Sequence, residues 1–201
     1  MGVSNSWFAL RGCTRDDALG RLGFETGSEI GDDWPPGGRF VVGELPDGWV
    51  LFIAPGLDDA FEARFAELSA GGEAVACAIE EHVMYQEARG YRDGAEVWRV
   101  VHDPDKGESL FHLEVTGAPP APFEDLRKTA VAKQQAEGGE DAGVDLISDV
   151  PLDLAKSICG FKHDDEWPKG LSFSLLERAR PERRPADAGK PGFFARLFGR
   201  V

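Results

Sequence analysis

The sequence predicts an α+β fold with a mainly antiparallel sheet and helices packed on one face of it. Short apolar segments rich in β-branched residues come in pairs joined by tight turns, as at residues 39–45 and 49–54. Helix-like segments alternate with these pairs and not with single strands. The strands are therefore expected to run antiparallel.

A weak internal sequence repeat is a third observation, and it predicts a duplicated strand-helix-strand unit. Segments 7–45 and 144–176 carry rare residues in the same order, namely Gly23-Phe24 then Trp34-Pro35 in the first and Gly160-Phe161 then Trp167-Pro168 in the second. Gly supplies backbone freedom and Phe and Trp supply volume, so we expect Phe24 and Phe161 in equivalent places. Two copies are too few for a solenoid, which favours one pseudo-symmetric domain over residues 1–178.

The N-terminal part of this domain is predicted as a strand, a helix and a loop. Residues 7–10 are uniformly apolar and form the strand. Thr14 suits the N-cap of the helix, and Gly23 ends it. Residues 25–38 are rich in acidic residues, Gly and Pro and form the loop.

The middle of the chain is predicted as a hairpin, a helix and a meander of strands. Pro46-Asp47-Gly48 supplies the turn of the hairpin. Asp58-Asp59 caps a helix that places Phe65 and Leu68 on its inner face. The meander strands are expected at residues 74–86, 95–102 and 109–116.

The last part of the domain is predicted to contain two helices and two strands. The first helix covers residues 123–137, and a strand follows at 144–147. Pro151 suits the first turn of the second helix. A strand over residues 171–176 closes the sheet.

Composition limits the classes of function. The 201 residues carry a formal net charge of −14, which disfavours a nucleic-acid partner because phosphate binding needs clustered Lys and Arg. Three widely spaced cysteines without a Cys-x-x-Cys pair indicate reduced thiols. No signal-peptide pattern and no apolar run of membrane-spanning length occur in the sequence. We therefore expect a cytoplasmic protein, and its Ala, Gly, Asp and Arg content indicates a bacterial one.

Glu81, His82 and His102 are the side chains best suited to acid-base chemistry or metal binding. Alternate residues of a strand point to opposite faces. If Asp93-Gly94 is a two-residue hairpin loop, His82 and His102 lie on opposite faces, whereas a bulge reverses this parity. The alternative to a site is a polar, solvated sheet face. The sequence contains no phosphate loop, dinucleotide fingerprint, nucleophile elbow or zincin motif, so we predict no cofactor and no metal.

Residues 179–201 are predicted to be a basic linker followed by a Phe-rich motif. Residues 178–201 hold seven Lys and Arg against two Asp and Glu, whereas residues 1–177 hold 15 against 34. A linker rich in Pro and Arg disfavours helix and strand. The predicted partner-binding residues follow it: Phe193, Phe194, Arg196, Leu197 and Phe198. Their apolar side chains share one helical face, which is expected to dock into a protein groove, onto an anionic membrane or back onto its own domain.

Two short segments carry a resemblance. The run Glu80-Glu81-His82-Val83-Met84, followed by Val97-Trp98-Arg99-Val100-Val101-His102-Asp103, resembles a pattern in a family of uncharacterised bacterial proteins. It spans the middle of the chain and implies no activity, so it assigns no catalytic residue.

Two functions from different classes follow from these observations. The first is a non-enzymatic adaptor or immunity-like protein that binds another protein through the C-terminal motif or through its acidic faces. The alternative is a hydrolase or metal-dependent enzyme that uses Glu81, His82 and His102.

Overall fold

A computed structural model describes residues 4–31, 39–55, 64–107 and 109–179. In this part of the chain the α+β class is confirmed, with nine strands in one antiparallel sheet and four helices. The strands are β1 Ser4–Arg11, β2 Phe24–Gly31, β3 Val41–Leu45, β4 Trp49–Pro55, β5 Glu73–Glu80, β6 Tyr85–Arg92, β7 Ala95–His102, β8 Glu114–Gly117 and β9 Phe173–Arg178. The helices are α1 Arg15–Leu22, α2 Phe65–Leu68, α3 Pro122–Ala136 and α4 Val150–Cys159.

The strand order is β2-β9-β3-β4-β1-β5-β6-β7-β8, and neighbouring strands are antiparallel throughout. β1 lies at the centre of the sheet because its middle residues are apolar on both faces and both faces are covered. The hairpin predicted at Pro46-Asp47-Gly48 is confirmed, with Leu45 opposite Trp49. Asp47 and Gly48 adopt left-handed conformations, with φ of 60° and 76°.

Two hydrophobic cores lie on opposite faces of the sheet. Alternate residues of β1 point to opposite faces, so Trp7 enters one core and Phe8 enters the other. α3 and α4 pack on the Trp7 face, where the Phe161 and Trp7 ring centroids lie 5.2 Å apart. α1 and α2 pack on the Phe8 face, where the Phe65 and Phe8 centroids lie 5.2 Å apart. The prediction that the helices pack on one face of the sheet is therefore correct for α3 and α4. It is wrong for the two short helices, α1 and α2, which pack on the other face.

The predicted helix boundaries are confirmed where local chemistry sets them. The hydroxyl of Thr14 accepts a hydrogen bond from the backbone N–H of Asp17 at 3.2 Å, as an N-cap does. Gly23 ends α1 with φ of 75°, and Gly160 ends α4 with φ of 80°. Pro151 lies in the first turn of α4, where its missing N–H costs nothing.

Three strand predictions and one loop prediction are corrected by the structure. The strand predicted at residues 109–116 is confined to β8, Glu114–Gly117. Residues 74–86 form parts of β5 and β6 with a four-residue turn between them, and the turn contains no Gly, Pro, Asn or Asp that would mark the break. Residues 144–147 form an irregular, bent segment and not a strand. Residues 25–31 belong to the edge strand β2 and not to a loop, and their side chains are mostly exposed, so no apolar alternation marks them.

The structure does not confirm the duplicated unit. Phe24 lies in β2, is half-buried and contacts Phe40 on the Phe8 face, with ring centroids 5.9 Å apart. Phe161 follows α4 outside any strand and is fully buried on the opposite face. The first segment forms β1-α1-β2, whereas a turn precedes α4 and a loop follows it. The two Phe residues therefore occupy unrelated environments.

Several predicted features lie outside the described residues. They are Trp34, the cap Asp58-Asp59, and the C-terminal residues Phe193, Phe194, Arg196, Leu197 and Phe198. Among the helices that the structure describes, none is both long enough and apolar enough to cross a membrane.

Candidate functional site

The candidate site lies at the end of the sheet where β5 turns into β6 and β7 ends. Four residues, Glu81 to Met84, form the turn. Met84 has φ of 54°, a left-handed conformation that residues other than Gly adopt rarely. Val83 beside it is 51% exposed. Left-handed residues other than Gly cluster at functional sites, and exposed apolar side chains mark binding surfaces.

His102 lies on the sheet face that α4 covers, because the β6–β7 pairing contains a bulge. The turn at Asp93-Gly94 is a two-residue loop, but the register shifts by one residue just beyond it. His102 consequently pairs with Gln86 instead of Tyr85, and it is 1% exposed. The bulged alternative considered for this hairpin is the one that the chain adopts.

Both ring nitrogens of His102 are engaged inside the protein. Nε2 lies 2.8 Å from Oδ2 of Asp145, and Nδ1 lies 3.2 Å from the backbone carbonyl oxygen of His112. A backbone carbonyl oxygen only accepts hydrogen bonds, so Nδ1 donates to it, and the Asp145 carboxylate occupies Nε2. In this arrangement neither ring nitrogen of His102 is open to a metal or to a substrate proton.

Asp145 ties the connection between α3 and α4 to the sheet. Its Oδ1 accepts hydrogen bonds from the backbone N–H groups of Ile147 and Ser148, at 3.0 and 3.1 Å. Burial alone would raise the pKa of Asp145, but the hydrogen bond and charge of His102 outweigh it and lower the pKa below its usual value. The pair joins positions 43 residues apart in sequence and so fixes the loop in place.

Gln134, in α3, also holds the connection between α3 and α4 in place. Its side chain is fully buried, and its amide nitrogen donates to the carbonyl oxygens of Gly139 and Val144 at 2.8 and 3.0 Å. Its amide oxygen accepts from the backbone N–H of Leu146 at 2.8 Å. One glutamine thus satisfies three backbone groups of a loop that has no regular ladder of its own.

Glu81, His82 and His102 have different partners in the structure. Oε1 of Glu81 lies 3.2 Å from Nε2 of His163, in the loop after α4. His82 is exposed, and its Nδ1 lies 2.6 Å from Oε1 of Glu80. Among the described residues, no group of three or more His, Cys, Asp or Glu side chains is placed to hold a metal ion.

An open groove of about 600 Å³ lies beside the His102–Asp145 pair. It runs between the turn after β5, the connection from β7 to β8 and the loop before α4. Its lining residues are Met84, Pro104, Leu110, Glu140, Ala142, Gly143, Val144 and Asp145. We call these eight residues the Val144 groove. Six of them are apolar residues or Gly, and Glu140 and Asp145 supply carboxylates.

A second buried charge lies on the opposite face of the sheet, at Glu87. This side chain is 2% exposed and accepts hydrogen bonds from Tyr85, Arg89 and Arg99, the last through Nε at 2.8 Å. Burial alone would raise the pKa of Glu87, but these donors lower it to about 2. The network ties β6 to β7 and uses the carboxylate fully, which indicates a structural role.

Lys162 forms a third internal network near α4. Its Nζ donates to Asp149 and Asp153 at 3.0 Å each, at the start of that helix. Burial alone would lower the pKa of Lys162, but the two carboxylates raise it above its usual value. The cysteine thiol at the other end of α4 is also inert, because burial raises the pKa of Cys159 to about 12.

Sequence reasoning selects His102 but misses the residues that define its environment. The sequence does not identify Asp145 because its partner His102 lies 43 residues away. It does not identify Gln134 because the partners of that side chain are backbone groups. Glu87 and Arg99 share a sheet face across β6 and β7, and only the bulged register places them in contact.

Comparisons with known proteins give no match. No protein-family model matches the chain. Searches of curated proteins and of solved structures likewise find no match.

Proposed function

We propose that this chain is a non-enzymatic bacterial protein that acts in the cytoplasm by binding another protein, in an adaptor or immunity-like role. The C-terminal segment makes the contact. Phe193, Phe194, Leu197 and Phe198 form its apolar face, and Arg196 lies beside them.

The contrast between this segment and the body carries the proposal. Residues 178–201 hold seven Lys and Arg against two Asp and Glu, whereas residues 1–177 hold 15 against 34. Four large apolar side chains within residues 193–198 cannot bury one another in so short a segment. They need an apolar surface to pack against, and a partner protein supplies one.

The hydrogen bonds of His102 also favour binding over catalysis. A general base needs a free lone pair within reach of its substrate, whereas both ring nitrogens of His102 are engaged, by Asp145 and by a backbone carbonyl. The alternative, a hydrolase or metal-dependent enzyme using Glu81, His82 and His102, requires His102 to leave both partners. That step would release the loop that Asp145 holds.

Affinity capture followed by binding to the purified partner tests the proposal. The full chain is compared with a variant lacking residues 190–201 and with Phe194→Ala. We expect the deletion to abolish binding and Phe194→Ala to weaken it at least tenfold, since anchoring aromatic residues contribute about 2 kcal/mol or more. Retained cooperative thermal unfolding of both variants is the control for folding. A deletion variant that captures the same partner with the same affinity would contradict the proposal.

Salt dependence separates a protein partner from a membrane. Binding to vesicles that contain anionic lipid would depend on Arg196 and Arg200 and would weaken strongly between 0.05 and about 0.5 M salt, because charges are screened within about 10 Å at 0.1 M. Binding to a protein groove is expected to change less with salt than with Phe194→Ala. The opposite order would favour the membrane.

A further inference from the structure

The Val144 groove exposes apolar side chains that lack cover among the described residues. Val144 in its lining is 50% exposed, and Val83, the chain neighbour of the lining residue Met84, is 51% exposed. Met84, Pro104 and Leu110 also line the groove. Methionine adapts its shape to a bound side chain, which suits a surface that receives aromatic rings.

The groove is anchored on a rigid support. The loop that carries Val144 is held to β7 by the 2.8 Å bond between His102 and Asp145, and to α3 by the three hydrogen bonds of Gln134. A surface that keeps its shape loses little conformational freedom when a ligand binds. The apolar walls are therefore presented in a fixed geometry.

The chain leaves the sheet at the same end as the groove. β5 ends at Glu80, and the pairing through β1, β4 and β3 shows that β9 runs in the same direction and ends at Arg178. Five strand spacings separate β9 from β6, which is about 24 Å. Thirteen residues lie between Ala179 and Phe193 and span at most about 45 Å when extended. The C-terminal segment can therefore reach the groove of its own chain.

We infer that the Val144 groove is the docking site for the chain's own C-terminal segment, residues 192–201. The Phe residues of this segment fill the apolar groove, and Arg196 and Arg200 face its acidic rim at Glu140. The segment is basic and the body is strongly acidic, so long-range attraction favours the same encounter. Without an apolar surface of this kind to pack against, the Phe side chains of this segment would remain in water.

The inference rests on the same segment as the proposed function, but it requires no partner. A partner that uses the Phe residues must displace them from the groove, so docking within the chain regulates the binding. A short tether gives an effective concentration on the order of 1 mM. If the segment binds the groove with a Kd of about 100 µM, the docked form would then be about ten times as populated as the undocked form.

Thiol labelling of the full chain tests the docking. Val144→Cys places a reactive thiol in the groove, and Val97→Cys is the matched control, because Val97 is 37% exposed at the other end of β7. Peptide mapping separates the introduced thiol from Cys13, and the other two cysteines are buried. We expect the Val144→Cys thiol to react about tenfold more slowly in the full chain than in a chain lacking residues 190–201. The Val97→Cys thiol should react equally in both.

Two further measurements identify the occupant. Phe194→Ala in the full chain should raise the labelling rate of Val144→Cys toward that of the truncated chain. A synthetic peptide of residues 190–201 should slow the labelling of the truncated chain as its concentration rises. Protection that persists on dilution supports docking within one chain, whereas protection lost on dilution would overturn it in favour of a second copy.

The result is independent of the partner experiment, because the labelling mixture contains only this chain. Equal labelling rates for Val144→Cys in the full and truncated chains would overturn the docking even if the deletion abolishes partner capture. Slow labelling of the full chain would support the docking. If the deletion variant also captured the partner as well as the full chain does, the proposed function would be contradicted.

Discussion

Two helix ends in this molecule use the same backbone geometry but place the following Phe differently. Gly23 and Gly160 both adopt the left-handed conformation, with φ of 75° and 80°. Phe24 then enters an edge strand and stays half-buried, whereas Phe161 is 0% exposed between Trp7 and Trp167. A left-handed Gly followed by an apolar residue is a common helix ending. Local capping chemistry thus explains the recurring Gly-Phe pair, while the surrounding core decides how deeply each Phe is buried.

The largest expected difference between the two ends lies in the Phe side chains. Phe161→Ala should reduce the free energy of unfolding by about 3–5 kcal/mol, since it leaves a cavity between two indole rings. Phe24→Ala should reduce it by about 1–2 kcal/mol, because its side chain is already partly exposed. Urea unfolding midpoints measure both. Equal losses would mean that the two segments are packed alike after all.

The second prediction concerns the residues just before α1 and α4. α1 begins with a local cap at Thr14, whereas α4 is reached through Asp145, which is bonded to the sheet at His102. Asp145→Asn keeps an acceptor for the neighbouring N–H groups but removes the charge that faces His102. We expect a loss of about 1.5–3 kcal/mol at pH 7, as for hydrogen bonds to charged groups. Thr14→Ala, with about 1 kcal/mol, is the local control.

The Asp145 effect should depend on pH in a defined direction. Its pKa is lower in the folded protein than its usual value of 3.8, so the carboxylate stabilises the fold above that value. This contribution disappears as pH falls below 3.8 and through the lowered pKa. The difference in unfolding free energy between the wild type and Asp145→Asn should therefore shrink with acid. A difference that stays constant from pH 7 to pH 2 would exclude a charged bond.

The smallest expected effect concerns the two glycines. A Cβ added at Gly23 or at Gly160 would meet no heavy atom within 4 Å. Only the left-handed backbone then opposes Ala, at a cost of about 1 kcal/mol in both places. Equal shifts in the urea midpoint would confirm that the two caps are locally equivalent. A Gly160→Ala loss several times larger would show that tertiary packing constrains the second cap.

The predictable parts of the fold are those that neighbouring residues determine. Thr14, Gly23 and Pro46-Asp47-Gly48 act through hydrogen bonds or φ angles within a few residues, and their predicted roles are confirmed. β2 has no apolar alternation, because an edge strand that is largely exposed needs none. Local rules could not reveal it.

The candidate site shows the same division. His102 is identifiable by residue type, but its face depends on a one-residue bulge, and its partner Asp145 lies 43 residues away. Gln134 bonds to backbone groups of a loop that only the folded chain brings beside it. The Val144 groove combines three separate connections, so its apolar residues form no pattern in the sequence.

The two edges of the sheet have a consequence for association between molecules. An open sheet can grow by pairing its free edges with those of other copies, which leads to fibres. Here β2 carries register shifts at Thr26/Glu29 and Glu29/Gly31 that interrupt its ladder. β8 is only four residues long, and Pro119-Pro120 follows it closely. Irregular pairing at one edge and a short strand ended by prolines at the other oppose uncontrolled strand addition, so the sheet can remain open without assembling into filaments.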